Sequence, residues 1–222
     1  MSLKHLGIIA DGNRRWAKAQ GLPTIEGHKK GLSTIKELVG AASKTDISYI
    51  TFYVFSTENW GRSVDEVSYI MKLAETRILK YAEELAEHNA RMVILGSKDR
   101  ISPKLASTIE KAEKLTSNCT GITVCFCFNY GGEQEIADAA TIAASEGEIT
   151  PETIRKHLYH PEIPDVDMVV RTSGEERISG FMLWRAAYAE FMFVKKYFPE
   201  MDANDIKEIL KEYESRNRRF GK

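Results

Sequence analysis

The chain has 222 residues, 43% of them hydrophobic, which is enough for one substantial core. Its 31 basic and 32 acidic residues give a net charge of -1. The net charge therefore gives no indication of a nucleic-acid partner, and we expect none. The three cysteines form no CxxC pair, and no run reaches the roughly 18 apolar residues that a membrane-spanning helix needs. We therefore expect a cytoplasmic protein whose contact with membranes is at most peripheral.

Six short apolar runs alternate with longer helical segments. In chain order they cover residues 6–10, 49–55, 92–95, 122–128, 168–170 and 191–194. Most of the runs are almost continuously apolar, which is typical of strands that are buried on both faces in a parallel sheet. The pattern predicts an α/β fold in one domain, residues 1–222, with a mostly parallel central β-sheet flanked by helices.

Several of the predicted helices begin at recognisable capping residues. Ser63 with Glu66 has the spacing of a capping box, and an amphipathic stripe follows it to about Ala90. Three further helix starts are predicted at Ser102-Pro103, at Thr150-Pro151 and at Asp202.

Clusters of polar residues follow four of the predicted strands. They cover residues 11–15, 56–60, 129–132 and 171–174. In an open parallel sheet, ligands bind outside the carboxyl ends of the strands. We therefore expect the four clusters to converge on one site.

The first cluster lies in the sequence IIADGNRRW. Gly12 would let the backbone approach a phosphate, and the start of a helix after it would offer free N–H groups to an anion. Arg14 and Arg15 add charge and bidentate donors, and Asp11 supplies the hard oxygen that magnesium prefers. On the motif alone, an Asp-Gly turn with two solvated arginines is an equally good interpretation.

The fourth cluster lies in RTSGEERIS and offers a second cradle for a diphosphate. Arg171 and Arg177 flank a glycine-containing loop there. The loop also carries three hydroxyl groups, on Thr172, Ser173 and Ser179. The alternative is a surface loop in which Glu175 and Glu176 pair with the arginines.

Glu190 and His28 each allow two interpretations. Glu190 borders a buried segment, where a carboxylate is costly unless it is paired or bound to a metal, so an ion pair and a metal contact both stay open. His28 could donate a hydrogen bond or a proton to a nearby diphosphate, although a lone histidine is more often a packing residue.

The basic residues 216–221 have the composition of a solvated tail. No P-loop, G-x-G-x-x-G, zinc or G-x-S-x-G pattern occurs.

Six segments in order resemble the cis-prenyltransferases, the undecaprenyl diphosphate synthase family. They are HLGIIADGNRRWAK, GHKKG, FSTENWGR, FNYGG, VRTSGEERISGFMLW and AYAEF. The resemblance implies a transferase that adds isopentenyl diphosphate units in cis configuration to an allylic diphosphate primer, farnesyl or geranylgeranyl diphosphate. The product would be a polyprenyl diphosphate, the precursor of a glycosyl carrier lipid. The resemblance also implies Mg²⁺, a hydrophobic tunnel for the growing chain, a homodimer and peripheral membrane contact for product release.

The resemblance assigns roles to individual residues. It implies catalytic roles for Asp11 and Asn59, with Asp11 and Glu190 as metal contacts. Substrate contacts are implied for Gly12, Asn13, Arg14, Arg15, Trp16 and His28 at the allylic diphosphate, for Ser56, Thr57, Glu58, Trp60 and Arg62 in a positioning loop, and for Arg171, Arg177, Ile178 and Ser179 at isopentenyl diphosphate. Residues 219–221 match an RxG element that in this family reaches toward the partner subunit's site.

Asn59 sits where the family places a proton-accepting residue, but a neutral amide is a poor base. We predict that Asn59 and Ser56 position the substrate and that the diphosphate or a water takes the proton. DGNRR replaces the bacterial DGNGR, and Pro23-Thr24 stands where an arginine is common, so the primer preference is open. The predicted tunnel-lining residues are Val54, Met71, Ile122 and Phe128.

Two alternatives remain. A non-catalytic subunit of a heteromeric cis-prenyltransferase would lack the catalytic aspartate and its neighbours, whereas Asp11, Asn13 and Arg15 are present here. A phosphate-ester hydrolase with an aspartate nucleophile would need a second carboxylate two residues after Asp11, where Asn13 stands.

Overall fold

The computed structural model describes residues 2–216, and over this range the chain has the predicted α/β architecture. The strands are β1 (His5–Ile9), β2 (Tyr49–Ser56), β3 (Arg91–Leu95), β4 (Thr123–Tyr130), β5 (Met168–Arg171) and β6 (Glu190–Phe193). Each corresponds to one of the six predicted apolar runs, and the ends differ by at most two residues. The strand predictions are therefore confirmed.

Seven α-helices occur within residues 2–216. They are α1 (Asn13–Ala19), α2 (Thr24–Ala42), α3 (Val64–Glu87), α4 (Pro103–Thr116), α5 (Gly132–Glu146), α6 (Pro151–His157) and α7 (Ala203–Ser215). Short 3₁₀ turns lie at Thr57–Gly61 and Phe198–Glu200. The side chains of Ser63, Ser102, Thr150 and Asp202 each accept a backbone N–H at the start of a helix, which confirms the four predicted caps.

The strands form one sheet in the order β3-β4-β2-β1-β5-β6. Three neighbouring pairs are parallel: β1 with β5, β5 with β6, and β3 with β4. The register of the first two pairs places Ile9, Arg171 and Phe193 in one rank across three strands. Because parallel strands end at the same edge, this rank marks the edge where ligands of such sheets bind.

The described residues fall into two compact units. Unit 1 takes its residues from 1–52, 165–179 and 185–222, and unit 2 from 53–164 and 180–184. In unit 1, helix α2 packs against both α1 and α7. Its buried face carries Ile35, Leu38, Val39 and Ala42, the apolar stripe expected of an amphipathic helix.

Unit 2 contains an apolar cluster that is only partly covered. Its buried centre consists of Phe55, Leu105, Ile109 and Phe128. The partly buried residues around it are Val54, Trp60, Val67, Ile70, Met71, Ala74, Ile78, Ile94 and Ile101, and we call the whole set the apolar cluster. Helix α3 supplies five of the partly buried members, although its fully buried residues are Ala82 and Leu85 near its carboxyl end.

The predicted tunnel residues divide on this evidence. Val54, Met71 and Phe128 belong to the apolar cluster. Ile122 instead precedes β4 and so lies at the amino end of that strand, about 20 Å from Phe128 at the rise of an extended chain. Among the described residues, no helix is both long and apolar enough to cross a membrane.

Candidate active site

A tight corner joins β1 to α1 in unit 1. Gly12 lies there with φ of 103°, in the left-handed region that favours glycine. A Cβ atom on Gly12 would lie 2.1 Å from Ser173 Oγ and 2.8 Å from Tyr197 Cδ1. Both the conformation and the close packing therefore require glycine at this position.

The backbone of Asp11 is fixed by its neighbours in the same corner. Its N–H donates to Thr172 Oγ1 at 2.9 Å, and the Thr172 hydroxyl donates back to the Asp11 carbonyl at 2.6 Å. The N–H of Phe198 donates to the same carbonyl at 3.0 Å. Because Thr172 is fully buried, these bonds hold the Asp11 side chain in a defined direction.

Two arginines face the Asp11 carboxylate. Arg171 Nη2 donates to Oδ2 at 2.9 Å, and Arg15 Nη2 lies 3.2 Å from Oδ1. Burial raises the pKa of Asp11, but the hydrogen bond from Arg171 and the charges of Arg15 and Arg171 together outweigh it and lower the pKa below its usual value. Asp11 is therefore a carboxylate at neutral pH.

From Asp11 and Arg15, charged side chains of alternating sign continue into the loop after β5. Glu175 accepts from Arg15 Nη1 at 2.8 Å and from Arg177 Nη1 at 2.5 Å. Hydrogen bonds from Arg177 and Arg15 lower the pKa of Glu175. Arg171, Asp11, Arg15, Glu175 and Arg177 thus form a chain of three cations and two carboxylates. The acid–arginine pairing that the sequence left open occurs here for Glu175.

Three buried polar atoms beside this chain have no hydrogen-bond partner in the described structure. They are Arg171 Nε, Ser173 Oγ and Asn13 Oδ1. Buried polar groups in proteins are normally satisfied, so each such atom calls for an explanation. A polar ligand at this corner would supply partners, and Arg171 Nη1, which donates to Ser179 Oγ at 2.8 Å, shows that the predicted Ser179 shares the site.

Close packing of α2 explains the spacing of the GHKKG segment. A Cβ atom on Gly27 would lie 2.0 Å from the Asn13 carbonyl, and one on Gly31 would lie 2.5 Å from Asn13 Oδ1. The two glycines therefore let α2 pack directly against the first turn of α1. His28, which lies between them in the sequence, is half-buried. Of the other predicted contacts in unit 1, Trp16 and Ile178 are half-buried and Arg14 is exposed.

Tyr197 belongs to this corner, although the sequence analysis did not predict it as a site residue. Its ring packs on Gly12, and the guanidinium carbon of Arg15 lies 5.8 Å from the ring centroid. Tyr197 follows β6 by several residues and carries no motif, so only the fold reveals its position.

Glu190 is separated from Asp11 within the chain. It begins β6 and shares a rank with Leu6 and Met168, whereas Asp11 lies beyond the carboxyl end of β1. Its rank precedes the rank of Ile9 by three positions, which correspond to about 10 Å of strand. Glu190 Oε2 instead accepts from Arg216 Nη1 at 3.0 Å, the ion pair that the sequence left open. Within residues 2–216, no group of three or more acidic, histidine or cysteine side chains could hold a metal.

The predicted positioning loop lies in unit 2 and forms the 3₁₀ turn after β2. Asn59 Oδ1 accepts from the Ser56 N–H at 3.2 Å, and the Ser56 hydroxyl accepts from the Asn59 N–H. The loop is therefore closed by a reciprocal cap between two of the predicted residues. The others lie beside it: Thr57 donates to Glu58 at 3.1 Å, Arg62 donates to Glu66 at 3.0 Å, and Trp60 donates to Asn129 at 2.7 Å.

A family model described as "Putative undecaprenyl diphosphate synthase" matches residues 9–221, a range that contains all four polar clusters. The chain belongs to the undecaprenyl diphosphate synthase family. An isoprenyl transferase from Neisseria meningitidis is 42% identical over 221 residues, which are 99% of this chain and 89% of the relative. A trans,polycis-polyprenyl diphosphate synthase from Thermobifida fusca, named as (2Z,6E)-farnesyl diphosphate specific, is 40% identical over 98% of this chain and 80% of its own length.

Solved structures of the undecaprenyl diphosphate synthase fold agree with this one over the whole chain. Lavandulyl diphosphate synthase from Lavandula x intermedia, in complex with dimethylallyl diphosphate, has a TM-score of 0.94 at 31% identity and covers 100% of this chain and 99% of its own. A probable undecaprenyl diphosphate synthase from Campylobacter jejuni has a TM-score of 0.86 at 31% identity, with 100% of both chains covered.

This member of the undecaprenyl diphosphate synthase family is therefore a cis-prenyltransferase enzyme, as the six sequence segments predicted. The RxG element at residues 219–221 lies outside the described residues, and its role stays a prediction.

Proposed function

We propose that the enzyme condenses isopentenyl diphosphate units in cis configuration onto an allylic diphosphate, farnesyl or geranylgeranyl diphosphate, and releases a polyprenyl diphosphate that serves as a glycosyl carrier lipid precursor. The observation that carries the proposal is the Asp11 carboxylate held by Arg171 and Arg15 beside three unsatisfied buried polar atoms. A corner of this composition suits diphosphate substrates. We also place the reaction in the cytoplasm, with peripheral membrane contact during product release.

Diphosphates compete with Glu175 for the same cations in this proposal. Arg15 and Arg177 both donate to Glu175, and a diphosphate offers more oxygens and more charge than this carboxylate. Arg171 Nε and Ser173 Oγ would gain partners at the same time. Cationic and hydroxyl donors aimed at the departing diphosphate stabilise the negative charge that grows on it, which lowers the barrier.

The residues at the corner fit a magnesium ion. Asp11 offers hard carboxylate oxygens, and Mg²⁺ in such enzymes is held by one or two carboxylates together with water and substrate phosphates. When bound, Mg²⁺ supplies Lewis-acid stabilisation of the diphosphate charge. Asp11 is the residue that would hold it.

Glu190 contributes to the metal site of a second copy of the chain in our proposal. Glu190 lies three positions, about 10 Å of strand, before the rank of Ile9, and Asp11 of the same chain lies beyond Ile9. A homodimer in which each site combines Asp11 of one copy with Glu190 of the other would reconcile that register with the metal role that the resemblance implies.

The carbon–carbon step needs orientation more than acid–base power. The allylic carbon–oxygen bond breaks, the double bond of isopentenyl diphosphate supplies the electrons of the new bond, and one proton is then lost. Asn59 and Ser56 position the substrate through their closed turn, since both polar groups of the cap are already engaged and an amide is a weak base. The proton passes to the diphosphate or to a water.

The apolar cluster of unit 2 accommodates the growing chain in this account. Its partly buried members offer apolar surface that the protein itself leaves incompletely covered. Each added isoprenoid would gain roughly 25 cal/mol for every Å² of apolar surface removed from water. The polyprenyl chain would stop growing where side chains of the apolar cluster block its further extension.

The proposal is tested by following labelled isopentenyl diphosphate into butanol-extractable lipid. The purified enzyme would receive Mg²⁺ and geranyl, farnesyl or geranylgeranyl diphosphate, with EDTA as the control. Magnesium-dependent incorporation is expected, and chromatography and NMR of the product would give its length and the configuration of the new double bonds. Folded protein that incorporates no label with any primer would overturn the proposal and favour the non-catalytic subunit.

A further inference from the structure

The side chain of Asn129 occupies a buried position at the carboxyl end of β4 and makes three hydrogen bonds. Its Oδ1 accepts from Trp60 Nε1 at 2.7 Å, and its Nδ2 donates to the carbonyls of Ser97 at 2.8 Å and Asp99 at 2.7 Å. Only 2% of Asn129 is exposed. Both hydrogens of the amide are used, so the orientation of the side chain is fully determined. One amide therefore joins the 3₁₀ turn after β2 to the loop after β3.

The backbone at Asn129 strengthens the same junction. Its φ is 52°, in the left-handed region that asparagine tolerates better than most residues. The Ser97 N–H donates to the Asn129 carbonyl at 3.1 Å, and a Cβ atom on Gly96 would lie 1.9 Å from the Phe128 carbonyl. The loop after β3 is thus seated on the end of β4 by close backbone packing as well as by the amide.

Trp60 is held on its ring as well as at its N–H. The Arg100 guanidinium carbon lies 4.6 Å from the ring centroid, a cation–π distance, and Phe55 packs edge-to-face at 5.4 Å. The indole is half-buried and is a member of the apolar cluster. Its nitrogen, its ring and its neighbours all belong to unit 2.

We infer that Asn129 is a positioning residue that fixes the Trp60 indole as part of the surface for the allylic chain. The inference rests on the proposed function of the apolar cluster. The hydrogen bond to Asn129 stops the indole from rotating, and Arg100 holds the ring that the bond orients. A fixed ring offers a constant apolar surface to the allylic isoprenoid, whereas isopentenyl diphosphate, with its short chain, depends on that surface less.

The matched pair of variants is Asn129→Gly and Asn89→Gly. Glycine adopts a positive φ without strain, so each change keeps the backbone and removes only the side chain. Asn89 has φ of 54° and its Oδ1 accepts from the Thr120 N–H at 2.9 Å, so it too ties a loop of unit 2. It touches none of the predicted site residues and serves as the control for a merely structural loss.

The kinetic expectation separates the two substrates. In Asn129→Gly, the KM for the allylic diphosphate should rise at least tenfold, while kcat and the KM for isopentenyl diphosphate stay within threefold. Asn89→Gly should leave all three within twofold. Equal behaviour of the two variants in an active enzyme would overturn the inference.

Trp60 fluorescence gives a readout that does not depend on turnover. In a Trp16→Phe, Trp184→Phe background, Trp60 is the sole tryptophan, and Asn129→Gly should increase its quenching by iodide at least threefold, with no change in Asn89→Gly. Unchanged quenching would contradict the inference even if the wild-type enzyme proved inactive. Should Asn129→Gly not fold, Trp60→Phe removes only the indole N–H and part of the ring, and a KM for the allylic diphosphate within twofold of wild type would sink the inference.

Discussion

Arg171 and Asp11 form an ion pair with 2.9 Å between Nη2 and Oδ2, although 160 positions separate them in the chain. The pairing of β1 with β5 places Ile9 beside Arg171 and so delivers the arginine to the turn that carries Asp11. Only 5% of Arg171 is exposed, which keeps its charge directed at the carboxylate. The sheet itself therefore assembles the charged corner, and the corner depends on close packing that substitutions can test.

Gly12→Ala should destabilise the protein by more than about 1 kcal/mol, because alanine strains the φ of 103° and meets Ser173 Oγ. Urea unfolding measures the change. Gly40→Ala is the matched control: it lies in α2 with open space around its Cβ position, and it should stabilise the protein by up to about 1 kcal/mol. Equal unfolding free energies for the two variants would show that the corner is not tightly packed.

The product should become shorter when the apolar cluster is filled. Ala74→Leu adds volume to a partly buried position of α3 that packs against the cluster. The mean length of the polyprenyl product is expected to fall by at least one isoprenoid unit, as measured by chromatography of the dephosphorylated lipids. Ala137→Leu adds the same volume at an exposed position of α5 and should leave the length unchanged. Unaltered product from Ala74→Leu would place the growing chain elsewhere.

The sequence was sufficient for the elements and for the polar clusters, because these follow from local patterns. Near-continuous apolar runs identified the six strands, and serine, threonine or aspartate at helix starts identified the four caps. Register is not a local property, since it depends on which strands pair and at which offset. The separation of Glu190 from Asp11 and the packing of Tyr197 on Gly12 follow from register and loop path, and no sequence motif carried either one.

The same reason explains why Asn129 stood out only as one member of a polar cluster. Its bond to Trp60 spans 69 positions, and its bonds to the loop after β3 span about half that. The sequence FNYGG predicted only a cluster of polar residues after the fourth strand. Which side chain an amide meets there is decided by two other loops.

Activity should return when two inactive variants are mixed. Asp11→Ala and Glu190→Ala homodimers would each be inactive, but a mixed dimer would hold one site with both residues intact if each site combines two copies. Co-expression with two affinity tags, followed by purification of the mixed dimer, should recover between about a quarter and a half of wild-type activity, since one of two sites is intact. Mixed dimers without activity would show that Asp11 and Glu190 act within one chain, against the separation in the register.

His160 should make stability depend on pH above its usual titration range. Hydrogen bonding to Glu113 at 3.2 Å, opposed by burial and helped by Glu162, raises the pKa of His160 above 6.5. The folded form therefore binds the proton more tightly, and the stabilisation is present below about pH 6.5 and is lost as the pH rises through the raised pKa. Glu162 in turn pairs with Arg91 at 3.0 Å.

Urea midpoints of wild type and His160→Gln should accordingly differ most near pH 6 and converge toward pH 8. His88→Gln, at an exposed position after α3, is the control for the loss of one imidazole. A constant difference between wild type and His160→Gln across this range would mean that the ion pairs of His160 do not contribute.

The most direct test is the kcat of Asp11→Asn at saturating substrates and Mg²⁺. Asparagine keeps the size of the side chain and removes the charge that Arg171 and Arg15 face and that would hold the metal. We predict a loss of at least roughly 10²-fold, the scale of removing one electrostatic contact to the reacting charge. Asp46→Asn, at an exposed position in the turn after α2, should stay within twofold. A folded Asp11→Asn enzyme that retains more than a tenth of the wild-type kcat would contradict the account.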